Sequence, residues 1–415
     1  MMVFLLGWRN LWRNPLRSLI TIVGLASGYA VLMFLVSITE GMRVQMLNNG
    51  TDLLVGHVQI HHPEYLPDRD LYETLGGSEG TDWRALAERL RREPEVAAST
   101  ARIHAAGLAS TGESSAGVAI VGIDPVQESK VSGLQGQGSP KNLQGRGLLL
   151  GENLQQELVA GTGTEIALVT QAADGTIGND LYRNRGTLRT GMAFLDRSLM
   201  LVHLTDLQEL LSLAPERIHE ITIKLRDPGE AEAFAARLND SDILPPGAVA
   251  RSWRSLLPTL SDYLDMVTAS YVVMIGLVGL FAALGVLNTM LMSVFERVRE
   301  LGMLSALGMR PASVVLTVVS ESIALAVAGL GAGLALGSLL VWHLSSTGLD
   351  LRSWMGEISL LETRMDPVIP VAWSWEAVWL PAVGLLLATV VASLLPALRA
   401  AFVNPVLAMR NLSKA

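Results

Sequence analysis

The residues with the clearest capacity for chemistry are few and scattered. Three histidines stand in GHVQIHHPEY; on a strand His57, Gln59 and His61 share one face while His62 points to the other. Only two imidazoles converge in that arrangement. A zinc site therefore needs a third ligand from far along the chain, and ordinary strand surface is the competing reading. Glu321 is the one acid within an otherwise apolar span, where a carboxylate serves either a proton path or a hydrogen bond to a neighbouring helix. A dense cluster, Glu296, Arg297, Arg299 and Glu300, follows an uncharged run that ends at Phe295. Glu296 and Arg299 can pair at i,i+3, and Val298, Leu301 and Leu304 recur on one side at helical spacing. Gly308 then reads as a helix stop and Pro311 as a first-turn residue of the next helix. Such a segment either passes a push from a soluble partner into the attached spans or simply supplies the basic residues of a cytoplasmic loop. No GxxxxGK[ST] loop occurs in the sequence, so the chain carries no phosphate cradle of that kind.

The elements that hold these residues must be membrane helices. Half of the 415 residues are hydrophobic and 17% are charged, too apolar a balance for an ordinary soluble protein. There are no cysteines, which excludes disulfides and thiolate metal sites. The net charge is −8, and no nucleic-acid partner is expected. Residues 1–18 carry Arg9, Arg13 and Arg17 interleaved with Trp8, Leu11 and Trp12, the pattern of an interfacial helix. Residues 19–38 are uncharged and long enough to cross a bilayer once. Met266 to Phe295 is a longer uncharged run, read with 263–265 as a second span prolonged into a stalk. A coupling segment at 296–310, a third span at 312–342, an outer loop at 343–376, a fourth span at 377–398 and a tail at 399–415 complete the order. The glycines of GLGAG, Gly329–Gly333, fall inside the third span and read as close helix packing.

Between the first two spans lies a large polar insert, 39–262. From residue 40 on it holds 30 Asp and Glu against 20 Lys and Arg. The arginine-rich ends and this acidic insert put both termini in the cytoplasm and the insert outside. Leu53–His61, Gly117–Ile123 and Ile218–Leu225 alternate as strands; Trp83–Arg92 and Glu230–Asn239 have helical periodicity. The glycine-rich stretch Gly133–Gly147 reads as a linker, and 148–215 as a second lobe inserted into the first. The expected fold class is thus a membrane α-helical protein of four transmembrane helices, with a large two-lobed α+β domain outside.

Several phrases resemble a known family. ERVRELGMLSALGM with Glu321 after it, WRNLWRNPLRSLITIVGLASG at the start and LPALRAAFVNPVLAMR at the end are similar to the FtsX/MacB-type ABC permeases. SITEGMRVQMLNN leading into GHVQIHHPEY, VGIDPVQ and LLLGENLQQEL resemble the Lol lipoprotein-releasing branch. The resemblance implies a bacterial inner-membrane permease with its large domain in the periplasm. It implies two copies of a cytoplasmic ATPase that hold ATP and magnesium, with no cofactor in this chain. A second permease, identical or related, membrane lipid, a periplasmic carrier and a lipoprotein cargo are the further partners it implies. ATPase closure would enter through Glu296, Arg297, Arg299, Glu300, Leu301, Leu304 and Gly308. Met33, Val36, Tyr263, Met266 and Tyr271 are candidates for an acyl-chain cradle, with helix packing and interfacial anchoring as their other reading. Thr170–Gly191 lacks the proline-rich hook of one Lol permease. Two alternatives stand beside lipoprotein release: an FtsX-like permease that activates a cell-wall hydrolase, and a MacB-like drug or peptide exporter.

Overall fold

A computed structural model describes residues 15–66, 71–77, 82–132, 143–190, 193–350, 359–360, 363–364 and 368–402. Residues 1–14 of the expected interfacial helix, 133–142 of the expected linker and 403–415 of the tail lie outside them. The first element among the described residues is α1 (Pro15–Gly50), followed by a π-helical turn at Thr51–Val55 and β1 (Val58–His61). Next come α2 (Trp83–Leu90), β2 (Val96–Ser110), β3 (Ser115–Ile123) and α3 (Pro125–Val131). Then follow β4 (Gly147–Gly151), α4 (Glu152–Glu157), β5 (Glu165–Gln171), β6 (Ile177–Leu188), α5 (Ala193–Ser198) and β7 (Leu199–His203). The insert ends with α6 (Leu204–Leu210), β8 (Glu220–Leu225), α7 (Ala231–Asn239) and β9 (Val249–Ser252). After a short helical turn at Trp253–Leu256 come the longer helices α8 (Pro258–Glu296), α9 (Val298–Ala306), α10 (Pro311–Thr347) and α11 (Glu376–Ala401).

The chain divides into two compact units, one holding the apolar helices and the other residues 46–263 with 355–367. Among the described residues α1, α8, α10 and α11 are long and apolar enough to cross a membrane. They pack through small residues. A Cβ on Gly329 would come 2.7 Å from the Leu25 Cβ, and one on Gly333 would come 2.6 Å from the Ala26 carbonyl oxygen. Gly337 stands one turn further, against Met33 and Ala30. Three glycines at every fourth position thus form a groove on α10 that receives α1, because only residues without side chains let two backbones approach so closely. Gly384 does the same for α11 against Ile275 of α8.

In the other unit β3, β7, β4, β6, β5 and β2 pair in that order, and β2 also pairs with β3, which closes six strands into a ring. Ile120, Leu148, Leu150, Ile166, Leu168, Met200 and Val202 share one fully buried face of these strands, and Ile123, Leu149, Leu188, Leu199 and Leu201 form a second cluster around Leu143 on the other. The first half of β2 continues outward through β8, β1 and β9. The two lobes anticipated from the sequence therefore share β2, and residues 148–215 supply the four strands that complete the ring. Two of the phrases singled out above have a local physical purpose here. In VGIDPVQ, Asp124 Oδ1 accepts from the N–H groups of Val126 and Gln127 and Pro125 opens α3, a strong helix start. In LLLGENLQQEL, a Cβ on Gly151 would stand 2.2 Å from the Asp196 carbonyl oxygen, so glycine alone fits.

The histidine reading needs correction. The strand begins at Val58, not Leu53, and lies between β8 and β9 with every residue buried, so it is not surface. His57 and His61 are 3% and 0% exposed. His57 Nδ1 accepts from the Leu225 N–H at 3.0 Å, and His61 Nδ1 lies 2.7 Å from the His62 carbonyl oxygen, to which it donates. Both imidazoles are used as packing and hydrogen-bonding groups of the sheet. Among the described residues no group of three metal-ligating side chains converges.

Candidate functional site

The charged segment between the second and third spans is built from three short-range events. α8 ends at Glu296, α9 begins at Val298, and Arg297 alone lies between them. The Arg297 N–H reaches the Val294 carbonyl at 3.2 Å, and the Arg297 carbonyl receives the Leu301 N–H at 3.0 Å. α9 stops where Gly308 adopts φ +94° and the Met309 N–H returns to the Leu304 carbonyl, a left-handed cap that a side chain would oppose. Arg310 and Pro311 then start α10.

This break changes the ionic pairing. Glu296 and Arg299 fall on different helices, so the i,i+3 pair expected of them does not form. Glu296 instead takes both terminal nitrogens of Arg17, at 2.8 and 2.5 Å, from the start of α1. Arg297 turns the other way: Nη1 donates to Glu321 Oε2 at 2.9 Å and Nε to Glu300 Oε2 at 3.4 Å. Glu321 is 8% exposed on α10. The carboxylate in the span is therefore paired with a guanidinium at the joint. Removing Arg297 would leave a buried carboxylate, a loss of about 3–5 kcal/mol. The half-exposed Arg17–Glu296 pair contributes less, about 0–1 kcal/mol.

The apolar side of α9 is narrower than the three-residue spacing of Val298, Leu301 and Leu304 indicates. Leu301 is buried with Val294, Val314, Val318, Ala397 and Ala400, and Val298 packs against them. Leu304 is 41% exposed and Leu307 85%. Leu304 is therefore not part of the packed face, because steps of three residues drift around a 3.6-residue helix; Gly302 takes the buried place beside Leu301. The result is a helix with one edge in the bundle and Met303, Leu304 and Leu307 presented outward.

At the other end of α1 a second polar tie joins the same two helices. Glu40 accepts from Arg43 at 2.7 and 2.6 Å and from the Tyr271 hydroxyl of α8 at 3.2 Å. Sequence reasoning treated Arg17 as a topological charge and passed over Glu40. For Arg17 and Glu296, opposite charges at matching ends of neighbouring spans were the available signal. The cradle candidates are not gathered in one place. Val36 and Tyr271 pack together with Ala377, and Met33 packs apart with Val341 and Val371. Met266 is 61% exposed and Tyr263 36%.

Four apolar spans, an α+β domain between the first two and a charged joint between the second and third define a membrane permease of the transporter kind. The chain belongs to the FtsX/MacB-type ABC transporter permease family: residues 18–241 match the MacB-like periplasmic core domain and residues 272–405 the FtsX-like permease C-terminal region. It is 25% identical to the lipoprotein-releasing system transmembrane protein LolE of Haemophilus influenzae, over 97% of each chain. It is 25% identical to LolC of Neisseria meningitidis, over 80% of this chain and 79% of that one. Similarity to the macrolide export ATP-binding/permease protein MacB 1/2 of Paracoccus denitrificans, at 26% identity, covers 81% of this chain and 51% of that one.

Proposed function

We propose that the protein is the permease of a lipoprotein-releasing ABC transporter of the bacterial inner membrane. A separate cytoplasmic ATPase, in two copies with ATP and magnesium, closes on α9. The stroke passes along α8 and α1 to the periplasmic domain, which takes an acylated protein from the outer leaflet and hands it on. The observation that carries this reading is the similarity to LolE along the whole chain, with no phosphate-binding loop in the sequence. In this reading both termini and residues 296–311 face the cytoplasm, and 40–262 and 343–376 face the periplasm. A second permease, identical or related, completes the bilayer-spanning assembly. A lipid anchor needs an apolar, laterally open surface, because each buried methylene contributes about 0.8 kcal/mol that extraction must match. Of the five cradle candidates, Met266 keeps the side chain most open to such a ligand. Met33, Val36 and Tyr271 are buried among the helices.

Reconstitution tests the cargo. Vesicles holding the permease, its ATPase and candidate lipoproteins are given ATP and a soluble acceptor. Acylated protein is expected to enter the soluble fraction only with ATP. If none is released while a cell-wall hydrolase binds and is activated, the signalling reading replaces this one; efflux of a small drug or peptide instead replaces it with the exporter reading.

A further inference from the structure

We propose that Arg297 is the pivot of the coupling segment, held to α10 by Glu321 as a fixed point and to α9 by Glu300 as a contact that yields. The inference rests on α9 as the helix that meets the ATPase, and it adds named positioning residues to that reading. Three observations point the same way. First, Arg297 is the single residue between two helices, and its N–H and carbonyl are bonded one into each. A rocking motion of α9 relative to α8 has its axis there. Second, the two carboxylates that share its guanidinium differ in strength and setting. The Glu321 contact is 2.9 Å long with a side chain 10% exposed, whereas the Glu300 contact is 3.4 Å long with a side chain 42% exposed. Water and a docking partner can compete for the second far more readily than for the first. Third, the preceding residue is tied in the opposite direction, Glu296 to Arg17 on α1. The joint is thereby fixed most firmly to α10 and more weakly to α1, while α9 keeps one edge in the bundle through Leu301 and its outward side on the exposed Glu300 contact.

A cation on the docked ATPase that draws Glu300 away would loosen the side-chain tie between α9 and Arg297 without exposing Glu321, leaving the backbone bond to Leu301 as the hinge. The buried pair keeps the axis in place, so displacement of α9 turns α8 rather than dissipating as local sliding. If the Arg297–Glu321 pair served only to neutralise a buried charge, Glu321→Gln would be mechanically silent.

The chain has no cysteine, so spin labels can be placed at Met303 on α9 and Leu316 on α10, which are both exposed. The distance between them is read in the assembled complex with its ATPase, in nanodiscs, with and without a non-hydrolysable ATP analogue. The wild-type background is expected to show a nucleotide-dependent change of distance. Glu321→Gln should retain ATPase binding and lose that change, and the exchanged pair Arg297→Glu with Glu321→Arg should restore it. A wild-type response in Glu321→Gln, or failure of the exchanged pair to restore the change, overturns the pivot while leaving the coupling helix intact. Failure of the wild-type chain to bind any ATPase overturns both.

Discussion

Charge at single residues divides here into groups that hold shape and groups placed to respond. His57 and His61 belong to the first. Burial is the main force that pushes both imidazoles below their ordinary value of 6.5. His57 reinforces this by accepting the Leu225 N–H, which needs an unprotonated Nδ1. In the unfolded chain both groups titrate near the ordinary value, so between the two values the unfolded state binds more protons. Stability from this source is present above about pH 6.5 and is lost as pH falls toward the depressed values. Melting of the solubilised chain should therefore drop in temperature between about pH 7.5 and about pH 5.5. His57→Asn, which keeps an acceptor near the Nδ1 position, should shrink the drop; an unchanged drop would show that other groups set it. Neither role was readable from GHVQIHH alone, since the alternation of a strand does not say that both of its faces will be covered. The ionic pairs were equally out of reach. Arg17 and Glu296 are 279 positions apart, and Arg297 meets Glu321 only because the helix breaks between Glu296 and Val298.

At the level of the helix, the sequence is far more explicit. Uncharged length announces the spans, and Gly308 and Pro311 mark the end of α9 and the start of α10 by the same chemistry that the structure displays. GLGAG inside an apolar run announces close packing, and α1 is the partner. A side chain at Gly333 would meet the Ala26 backbone, which cannot rotate away, whereas one at Gly331 would meet nothing within 4 Å. Gly333→Val is accordingly expected to destabilise the helical unit by about 1–3 kcal/mol, through overpacking. Gly331→Ala should be neutral or slightly favourable. Thermal unfolding of the two variants in the same detergent compares them directly, and equal melting temperatures would remove the groove from the account. Helix ends and packing glycines are legible because their causes are local; which helix fills a groove is not.

Across the whole molecule, the distribution of charge organises the chain before any contact is considered. Arginines cluster at the start and the tail, acids dominate the insert, and the charged joint lies between two spans. That asymmetry, with the four apolar runs, was enough to give the fold class. Closure of the six-stranded ring was not legible, because it depends on a 15-residue β2 that pairs with β3, β5 and β8 at different points along its length. Periodicity identifies such a strand without revealing how many partners it serves. The functional account needs α9 and the large domain on opposite sides of the bilayer, since a stroke must otherwise cross nothing. Single cysteines at positions 174 and 300 of this cysteine-free chain, exposed to a membrane-impermeant thiol reagent in intact spheroplasts, measure this directly. The account predicts labelling at 174 and protection at 300 until the membrane is opened. Labelling at 300 with protection at 174 would contradict it.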